Sequence, residues 1–171
     1  MSCFAKFFLS ILNQRLLRCV LEKNILSKSQ LGFLPGNRTS DALLILHNLV
    51  DYYCSKRKKF LYGCFVDFSK AFDRIPRYNL FEKLLKYDIS GNFYSCLANI
   101  YTNNRACVKL NKQVSDYFDI NQGVKQGCIL SPILFNIYMA DLPRKLESGK
   151  NDPPKLSQNG QCSCLIWADD L

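Results

Sequence analysis

The sequence predicts an α+β fold, because two segments with helical spacing are followed by two extended segments with the spacing of a hairpin. Two runs rich in aromatic and β-branched residues, Phe60 to Phe68 and Cys162 to Trp167, have the length and boundaries of buried strands. Residues 105–120 form two extended segments on either side of Asn111-Lys-Gln113, which predicts a β-hairpin.

The N-terminal part of the chain is predicted to be helical. A first amphipathic helix is expected to bury one apolar face, which consists of Phe4, Phe7, Phe8, Ile11 and Leu12. This spacing, and a short apolar run without a cleavage site, argue against a membrane span and a signal peptide. A second helix follows the turn-rich stretch Gln30 to Ser40. It is expected to start near Thr39-Ser-Asp41, run from Ala42 to about Tyr53 and leave His47 exposed. The apolar face of this helix would include Ala42, Ile45, Leu46, Leu49 and Tyr53.

The C-terminal part is predicted to contain three more helices. Two cover Tyr78 to Tyr87 and Asn92 to Tyr101, and a third starts at Ser131-Pro132 and carries Ile133 to about Leu146. Glu147 to Gln158 is polar and has the composition of a linker.

Carboxylates stand at the end of both predicted strands. The first run delivers Asp67, and the second is followed by Asp169 and Asp170. A buried carboxylate requires a cation or a metal ion, and two such strands side by side would gather all three acids. Oxygen ligands of this kind suit Mg²⁺, and paired ions stabilise phosphoryl transfer. The pattern predicts a divalent metal site.

The chain carries a formal net charge of +9, from 23 basic and 14 acidic residues. This charge suits a polyanionic partner, although a lysine-rich soluble surface would have the same charge. The densest basic run, Lys56-Arg-Lys-Lys59, is either a solvated loop or a contact to a phosphate backbone. Nine cysteines without a disulfide framework predict reduced thiols in an intracellular protein.

Two glycines, Gly123 and Gly127, precede the third C-terminal helix. Glycine allows a backbone to approach a ligand closely, and a helix N-terminus favours anions, but a glycine turn before a helix is also simply a turn. Both interpretations remain open from these residues alone.

Four short blocks stand out along the chain. They are Gln30-Leu-Gly-Phe-Leu-Pro-Gly-Asn-Arg-Thr-Ser-Asp41, Asp67-Phe-Ser-Lys-Ala-Phe-Asp73, Gly123-Val-Lys-Gln-Gly-Cys-Ile-Leu-Ser-Pro132 and Trp167-Ala-Asp-Asp170. They resemble, in the same order, the segment before palm motif A and motifs A, B and C of the reverse transcriptases of non-LTR (LINE-type) retrotransposons. The four blocks cover nearly the whole chain.

The resemblance implies a right-hand polymerase palm with part of the fingers. Residues 1–171 would be a single partial reverse transcriptase domain, in which about 1–59 supply fingers and palm helices and about 60–171 supply the palm with motifs A, B and C. The thumb, the primer grip and the first fingers strands of relatives would lie outside the chain. We therefore expect little or no polymerase activity from the isolated polypeptide.

The resemblance also implies a chemistry, RNA-directed DNA synthesis on an RNA template and a DNA primer. A primer 3′-hydroxyl would attack the α-phosphorus of a deoxynucleoside triphosphate and expel pyrophosphate. Asp67 and Asp169 would hold two Mg²⁺ ions, with Mn²⁺ as the alternative ion, and Asp170 would support them. The carbonyl of Phe68 would be a further metal ligand.

Nucleotide contacts are implied for four residues: Ala71, Phe72, Gln126 and Gly127. Phe72 would be the steric gate that excludes a ribose 2′-hydroxyl, while Gln126 and Gly127 would lie beside the incoming nucleotide and the template base. Asp73 would be structural, either capping or pairing with Arg74.

Nucleic-acid contacts are expected at Arg38, Lys58 and Lys59. Leu34 stands where many relatives carry an arginine, so Arg38 would compensate in that block. Cytoplasm and nucleus are the expected compartments, without membrane contact, and the sequence does not indicate an oligomeric state.

Two other functions share parts of this pattern. An RNA-directed RNA polymerase has the same palm and paired aspartates, but usually carries glycine before the pair and a small polar residue in place of Phe72. A non-catalytic RNA-binding palm remnant would bind without Asp67, Asp169 or metal.

Overall fold

The computed structural model describes residues 2–148, 154–157, 160–162 and 164–167, and helices predominate among them. The α-helices are α1 (Cys3–Glu22), α2 (Thr39–Val50), α3 (Arg77–Lys86), α4 (Gly91–Tyr101), α5 (Ser131–Met139) and α6 (Asp141–Glu147). A π-helical turn, Asp51–Lys56, continues α2. In the described part of the chain, no helix is long and apolar enough to cross a membrane.

In the described part of the chain, the strands are short and form antiparallel pairs. They are β1 (Arg105–Ala106), β2 (Lys109–Leu110), β3 (Gln113–Val114), β4 (Phe118–Asp119), β5 (Lys155–Ser157) and β6 (Gly160–Gln161). β1 pairs with β4, β2 with β3 and β5 with β6. The combination of helices with small separate sheets agrees with the predicted α+β class.

The chain divides into two compact units. The first unit comprises Met1–Lys23 and Lys70–Tyr138, and the second comprises Asn24–Ser69 and Met139–Leu171.

The first unit has α5 in its core. Five consecutive α5 residues, 133–137, are buried, so this helix is enclosed on all sides rather than along one stripe. α3 packs against α4 through the ring of Phe81, which contacts the rings of Tyr94 and Tyr101. The predicted bounds of α3 and α4 are confirmed to within one residue at each end.

α1 buries a different face from the predicted one. Its buried residues are Leu9, Leu12, Leu16 and Val20, whereas Phe4, Phe7, Phe8 and Ile11 are exposed. Both sets recur at helical spacing, so periodicity identifies the helix but cannot choose between two apolar stripes. The prediction was wrong for every residue of the face except Leu12.

The helix that starts at Ser131 is shorter than predicted. It ends at Met139, and α6 follows after Ala140. Pro143 explains the interruption, because proline lacks an N–H and its ring clashes with the carbonyl four residues earlier, which is that of Met139. Ser131 is the first helical residue, and its hydroxyl donates to the carbonyl of Lys125 at 2.5 Å.

The predicted hairpin between Arg105 and Ile120 is confirmed. Arg105 lies opposite Asp119 and Lys109 lies opposite Val114. Arg105 Nε also donates to Asp119 Oδ1 at 3.0 Å across the two strands.

In the second unit, α2 buries the predicted face. Leu49 is buried and Ala42, Ile45 and Leu46 are half-buried, while His47 is exposed. The helix starts at Thr39, earlier than predicted, and Asp41 Oδ2 accepts from the backbone N–H of Arg38 at 2.6 Å. β5 packs against α2, although β5 lies in the segment that was predicted to be a linker.

Among the described residues, the predicted buried strand Phe60 to Phe68 is reduced to one bridge position at Asp67. Residues 60–66 have no strand pairing among the described residues, and Phe60, Tyr62 and Phe65 are 89%, 91% and 83% exposed. A run with strand composition becomes a strand only where a neighbour accepts its backbone hydrogen bonds. The prediction was wrong because composition does not supply that neighbour.

The predicted strand Cys162 to Trp167 is reduced to its last two residues. Ile166 forms an isolated parallel bridge with Gln30, and its N–H donates to the carbonyl of Ser29 at 2.9 Å. The carbonyl of Ile166 accepts from the N–H of Leu31, also at 2.9 Å. Asp169 and Asp170 lie outside the described residues.

Candidate functional site

The turn from Lys70 to Arg74 lies against the loop that leads into α5. The N–H of Val124 donates to the carbonyl of Phe72 at 2.9 Å, and the N–H of Gly123 donates to the carbonyl of Ile75 at 2.8 Å. These two bonds join the segments that resemble motifs A and B within the first unit.

Gly123 is required by this close approach. A Cβ at this position would lie 2.6 Å from the backbone oxygen of Asp73 and 2.9 Å from its carbonyl carbon, and the φ angle is +78°. Of the two interpretations left open for Gly123, the structure favours the turn, because what approaches this glycine closely is the chain's own backbone. At Gly127, by contrast, a Cβ would meet nothing within 4 Å.

The side chains of Asp73 and Gln126 are joined directly. Gln126 Nε2 donates to both carboxylate oxygens of Asp73, at 2.9 Å and 3.0 Å. Asp73 was predicted to be structural, either capping or pairing with Arg74, and its side-chain partner in the structure is Gln126. The two segments are thus connected by side chains as well as by backbone.

The ring of Phe72 is fixed by a stacked contact with α5. Its centroid lies 4.9 Å from that of Phe135, with an interplanar angle of 28°. Phe135 is buried, whereas Phe72 is half-buried. One face of the Phe72 ring is therefore held by the core.

Arg77 donates hydrogen bonds to three backbone carbonyl groups around the loop that leads into α5. Its Nε donates to Gly123 at 2.8 Å, while one terminal nitrogen donates to the carbonyls of Tyr101 at 2.8 Å and Ile120 at 2.7 Å. Burial lowers the pKa of Arg77, and the neighbouring Tyr101 ring partly opposes that change. A guanidinium stays charged in proteins, so Arg77 donates these bonds as a cation.

The hydroxyl of Tyr101, the last residue of α4, is buried near the loop that leads into α5. Among the described residues this hydroxyl has no partner in hydrogen-bond geometry. Burial raises the pKa of Tyr101 to about 12, and the nearby Ser131 hydroxyl opposes the shift only in part. The neutral phenol is the form that the fold stabilises.

We expect stability to fall at high pH because of Tyr101. Its folded pKa of about 12 exceeds the ordinary 10, so its contribution is complete below pH 10 and is lost as the pH rises through 12. The free energy of unfolding should decline between pH 8 and pH 12 by about 2 kcal/mol more in the wild type than in Tyr101→Phe. Urea denaturation of both proteins at both pH values measures this difference, and equal declines would refute it.

The structure brings some predicted site residues together. Ala71, Phe72, Gln126 and Gly127, the predicted nucleotide contacts, all belong to the first unit, and the Phe72 and Gln126 segments are bonded to each other. In the second unit are Asp67, Phe68 and the predicted nucleic-acid contacts Arg38, Lys58 and Lys59.

Asp67 was predicted to be buried and is exposed. The described residues contain no cluster of three or more acidic, histidine or cysteine side chains that could hold a metal ion. Asp67 nevertheless offers an exposed carboxylate, the ligand type that Mg²⁺ prefers, so its chemistry fits one ligand of such a site.

Sequence reasoning missed Arg77. No motif marks it, and its three acceptors lie 24, 43 and 46 residues further along the chain. The one available signal was its position directly after Pro76, at the start of a helix. The helix dipole does not favour a basic side chain at that end.

The amino-acid sequence is similar to those of known proteins. A family model described as "Reverse transcriptase (RNA-dependent DNA polymerase)" matches residues 1–171. The chain is 27% identical to the "Probable RNA-directed DNA polymerase from transposon BS" of Drosophila melanogaster, over 173 residues that cover 100% of the chain and 18% of that protein.

Two further relatives come from mobile elements of the same genus. The chain is 34% identical over 142 residues to the "Retrovirus-related Pol polyprotein from type-2 retrotransposable element R2DM" of Drosophila melanogaster, covering 83% of the chain and 13% of that protein. It is 28% identical over 146 residues to the "RNA-directed DNA polymerase from mobile element jockey" of Drosophila funebris, covering 84% and 15%. The chain therefore spans less than a fifth of the length of these curated relatives.

Proposed function

Because the chain belongs to the reverse transcriptase (RNA-dependent DNA polymerase) family, we propose that it is the part of a non-LTR retrotransposon polymerase that binds the incoming deoxynucleotide and the catalytic metal ions. The family match across residues 1–171 is the observation that carries this proposal. Under it, about 1–59 supply fingers and palm helices and about 60–171 supply the palm.

The nucleotide would lie against the first unit. The ring of Phe72, stacked on one face against Phe135, would exclude a 2′-hydroxyl from the sugar position. The open space beside Gly127 leaves room for a ligand near its backbone, and the exposed side chain of Gln126 can contact the nucleotide or the template base.

Two Mg²⁺ or Mn²⁺ ions would be held by the carboxylates of Asp67 and Asp169 and the carbonyl of Phe68, with Asp170 in support. When bound, such ions stabilise charge on the attacking and leaving oxygens of phosphoryl transfer. Arg38, Lys58 and Lys59 are all exposed, as contacts to the phosphates of an RNA template and DNA primer require.

The proposal predicts that binding of dATP by the purified chain depends on Mg²⁺ and on Asp67. Asp67→Asn removes one anionic ligand of the metal, so we expect affinity for dATP in the presence of Mg²⁺ to fall about tenfold. Isothermal titration with and without Mg²⁺ measures this change. Since the chain covers less than a fifth of its relatives, we expect it to bind the nucleotide but to extend a primer little or not at all.

Asp116→Asn is the matched control, because Asp116 is an exposed acid on the hairpin of the first unit and the charge change is identical. It should leave dATP affinity unchanged. Equal effects of the two substitutions would contradict the metal role of Asp67. RNA binding that persists without metal and without Asp67 would favour the non-catalytic remnant instead.

A further inference from the structure

We propose that Asp73 is a positioning residue that fixes the side-chain amide of Gln126 with its carbonyl oxygen turned outward, as an acceptor for a hydrogen bond from the bound nucleotide. This inference rests on the proposed function, since it concerns the nucleotide site. It adds a residue that does not contact the nucleotide but determines which atom of the Gln126 amide faces it.

The chemistry of the contact fixes the orientation of the amide. Both bonds leave Gln126 Nε2 and end on the two oxygens of Asp73. An ionised carboxylate can only accept hydrogen bonds, so the NH₂ group must face it. The carbonyl oxygen of Gln126 then points away from Asp73, and Gln126 is exposed.

The backbone holds Asp73 in place for this task. Its N–H donates to the carbonyl of Lys70 at 3.0 Å, and the residues around it, Phe72 and Ile75, accept from Val124 and Gly123. The carboxylate is therefore presented from a tight turn that is bonded to the loop carrying Gln126.

Without Asp73, neither orientation of the Gln126 side-chain amide is favoured. An exposed glutamine can rotate to present either its NH₂ group or its oxygen, and only one of these accepts a hydrogen bond. The nucleotide groups that can donate are a 3′-hydroxyl on the sugar and an amino group on the base. Asp73 would keep Gln126 complementary to such a donor before the nucleotide arrives.

The test compares the wild type with Asp73→Asn and with the double variant Asp73→Asn/Gln126→Glu. In Asp73→Asn, the new side-chain amide can either accept from Gln126 or donate to it, so the orientation is lost. In the double variant, the side-chain amide introduced at position 73 donates to the carboxylate introduced at position 126. The second oxygen of that carboxylate faces outward as the acceptor. The pair carries one negative charge in the wild type and in the double variant, and none in Asp73→Asn.

Affinity for dATP with Mg²⁺ is measured by isothermal titration. We expect Asp73→Asn to bind about fivefold more weakly, equivalent to ~1 kcal/mol, and the double variant to recover most of the loss. Loss of a negative charge alone would instead tighten binding of a triphosphate, so the sign separates orientation from charge. Tighter binding by Asp73→Asn, or equal binding by all three proteins, would overturn the proposal.

Dideoxy-ATP identifies the donor. If the 3′-hydroxyl donates, Asp73→Asn weakens the binding of dATP but not that of dideoxy-ATP. If the base donates, the substitution weakens the binding of both nucleotides. Either result supports the acceptor role. If neither nucleotide binds the wild type, both the proposed function and the acceptor role fail. A comparison of the Gln126 side-chain amide signal in NMR between the wild type and Asp73→Asn then shows separately whether the contact to Asp73 exists.

Discussion

Gly123→Ala is expected to lower the free energy of unfolding by about 3 kcal/mol, the largest single-residue effect that we predict. An alanine at a φ of +78° costs roughly 1–2 kcal/mol, and overpacking adds typically 1–3 kcal/mol. The overpacking term applies in full because the obstructing atoms belong to the backbone of Asp73, which cannot rotate aside as a side chain can. Urea denaturation followed by circular dichroism measures the loss.

Gly91→Ala separates the two contributions. Gly91 also has a positive φ, +68°, and belongs to the first unit, but a Cβ there would meet nothing within 4 Å. We expect this substitution to cost only the conformational part, about 1 kcal/mol. If the two variants lost equal stability, the close approach of Asp73 to Gly123 would not be the cause.

Arg77→Ala is expected to destabilise the protein by about 2–3 kcal/mol. It removes three hydrogen bonds from a charged donor and leaves the carbonyls of Tyr101, Ile120 and Gly123 without that partner. Two of these bonds are part-buried, so water replaces the guanidinium only incompletely. The same denaturation measurement applies.

Arg77→Lys and Arg74→Ala are the controls for this prediction. Lysine keeps the charge but cannot reproduce a planar fork that reaches several carbonyls, so we expect it to recover less than half of the lost stability. Arg74 is exposed and lies three residues earlier, and its replacement should change stability by less than about 0.5 kcal/mol. A loss in Arg74→Ala as large as in Arg77→Ala would show that general charge, not the three bonds, stabilises this region.

Part of the fold could be predicted because local signals sufficed. α2, α3 and α4 each repeat apolar residues at helical spacing, so periodicity identified the helices and, in α2, the half-buried and buried positions. α1 has two stripes, and only the tertiary packing selects between them. For residues 60–66 the composition indicated a strand, but a strand is a property of a pair of segments.

The candidate site also combines residues that local patterns predict with contacts that they do not. Phe72 and Gln126 were predicted from motifs, which are local. The contact between Asp73 and Gln126 spans 53 residues, and the bonds of Arg77 depend on where the hairpin and the loop return to α3. Such contacts follow from the path of the chain in three dimensions, which spacing within a motif does not contain.

The stretch of residues 60–66 has a consequence for self-association. It exposes aromatic side chains and lacks strand pairing in the described part of the chain, which makes it a template for cross-β stacking with a second copy. The adjoining Lys56-Arg-Lys-Lys59 then acts as a gatekeeper, because like charges in neighbouring copies repel when such strands align. The basic run would thus protect the chain from aggregation whether or not it also touches a phosphate backbone.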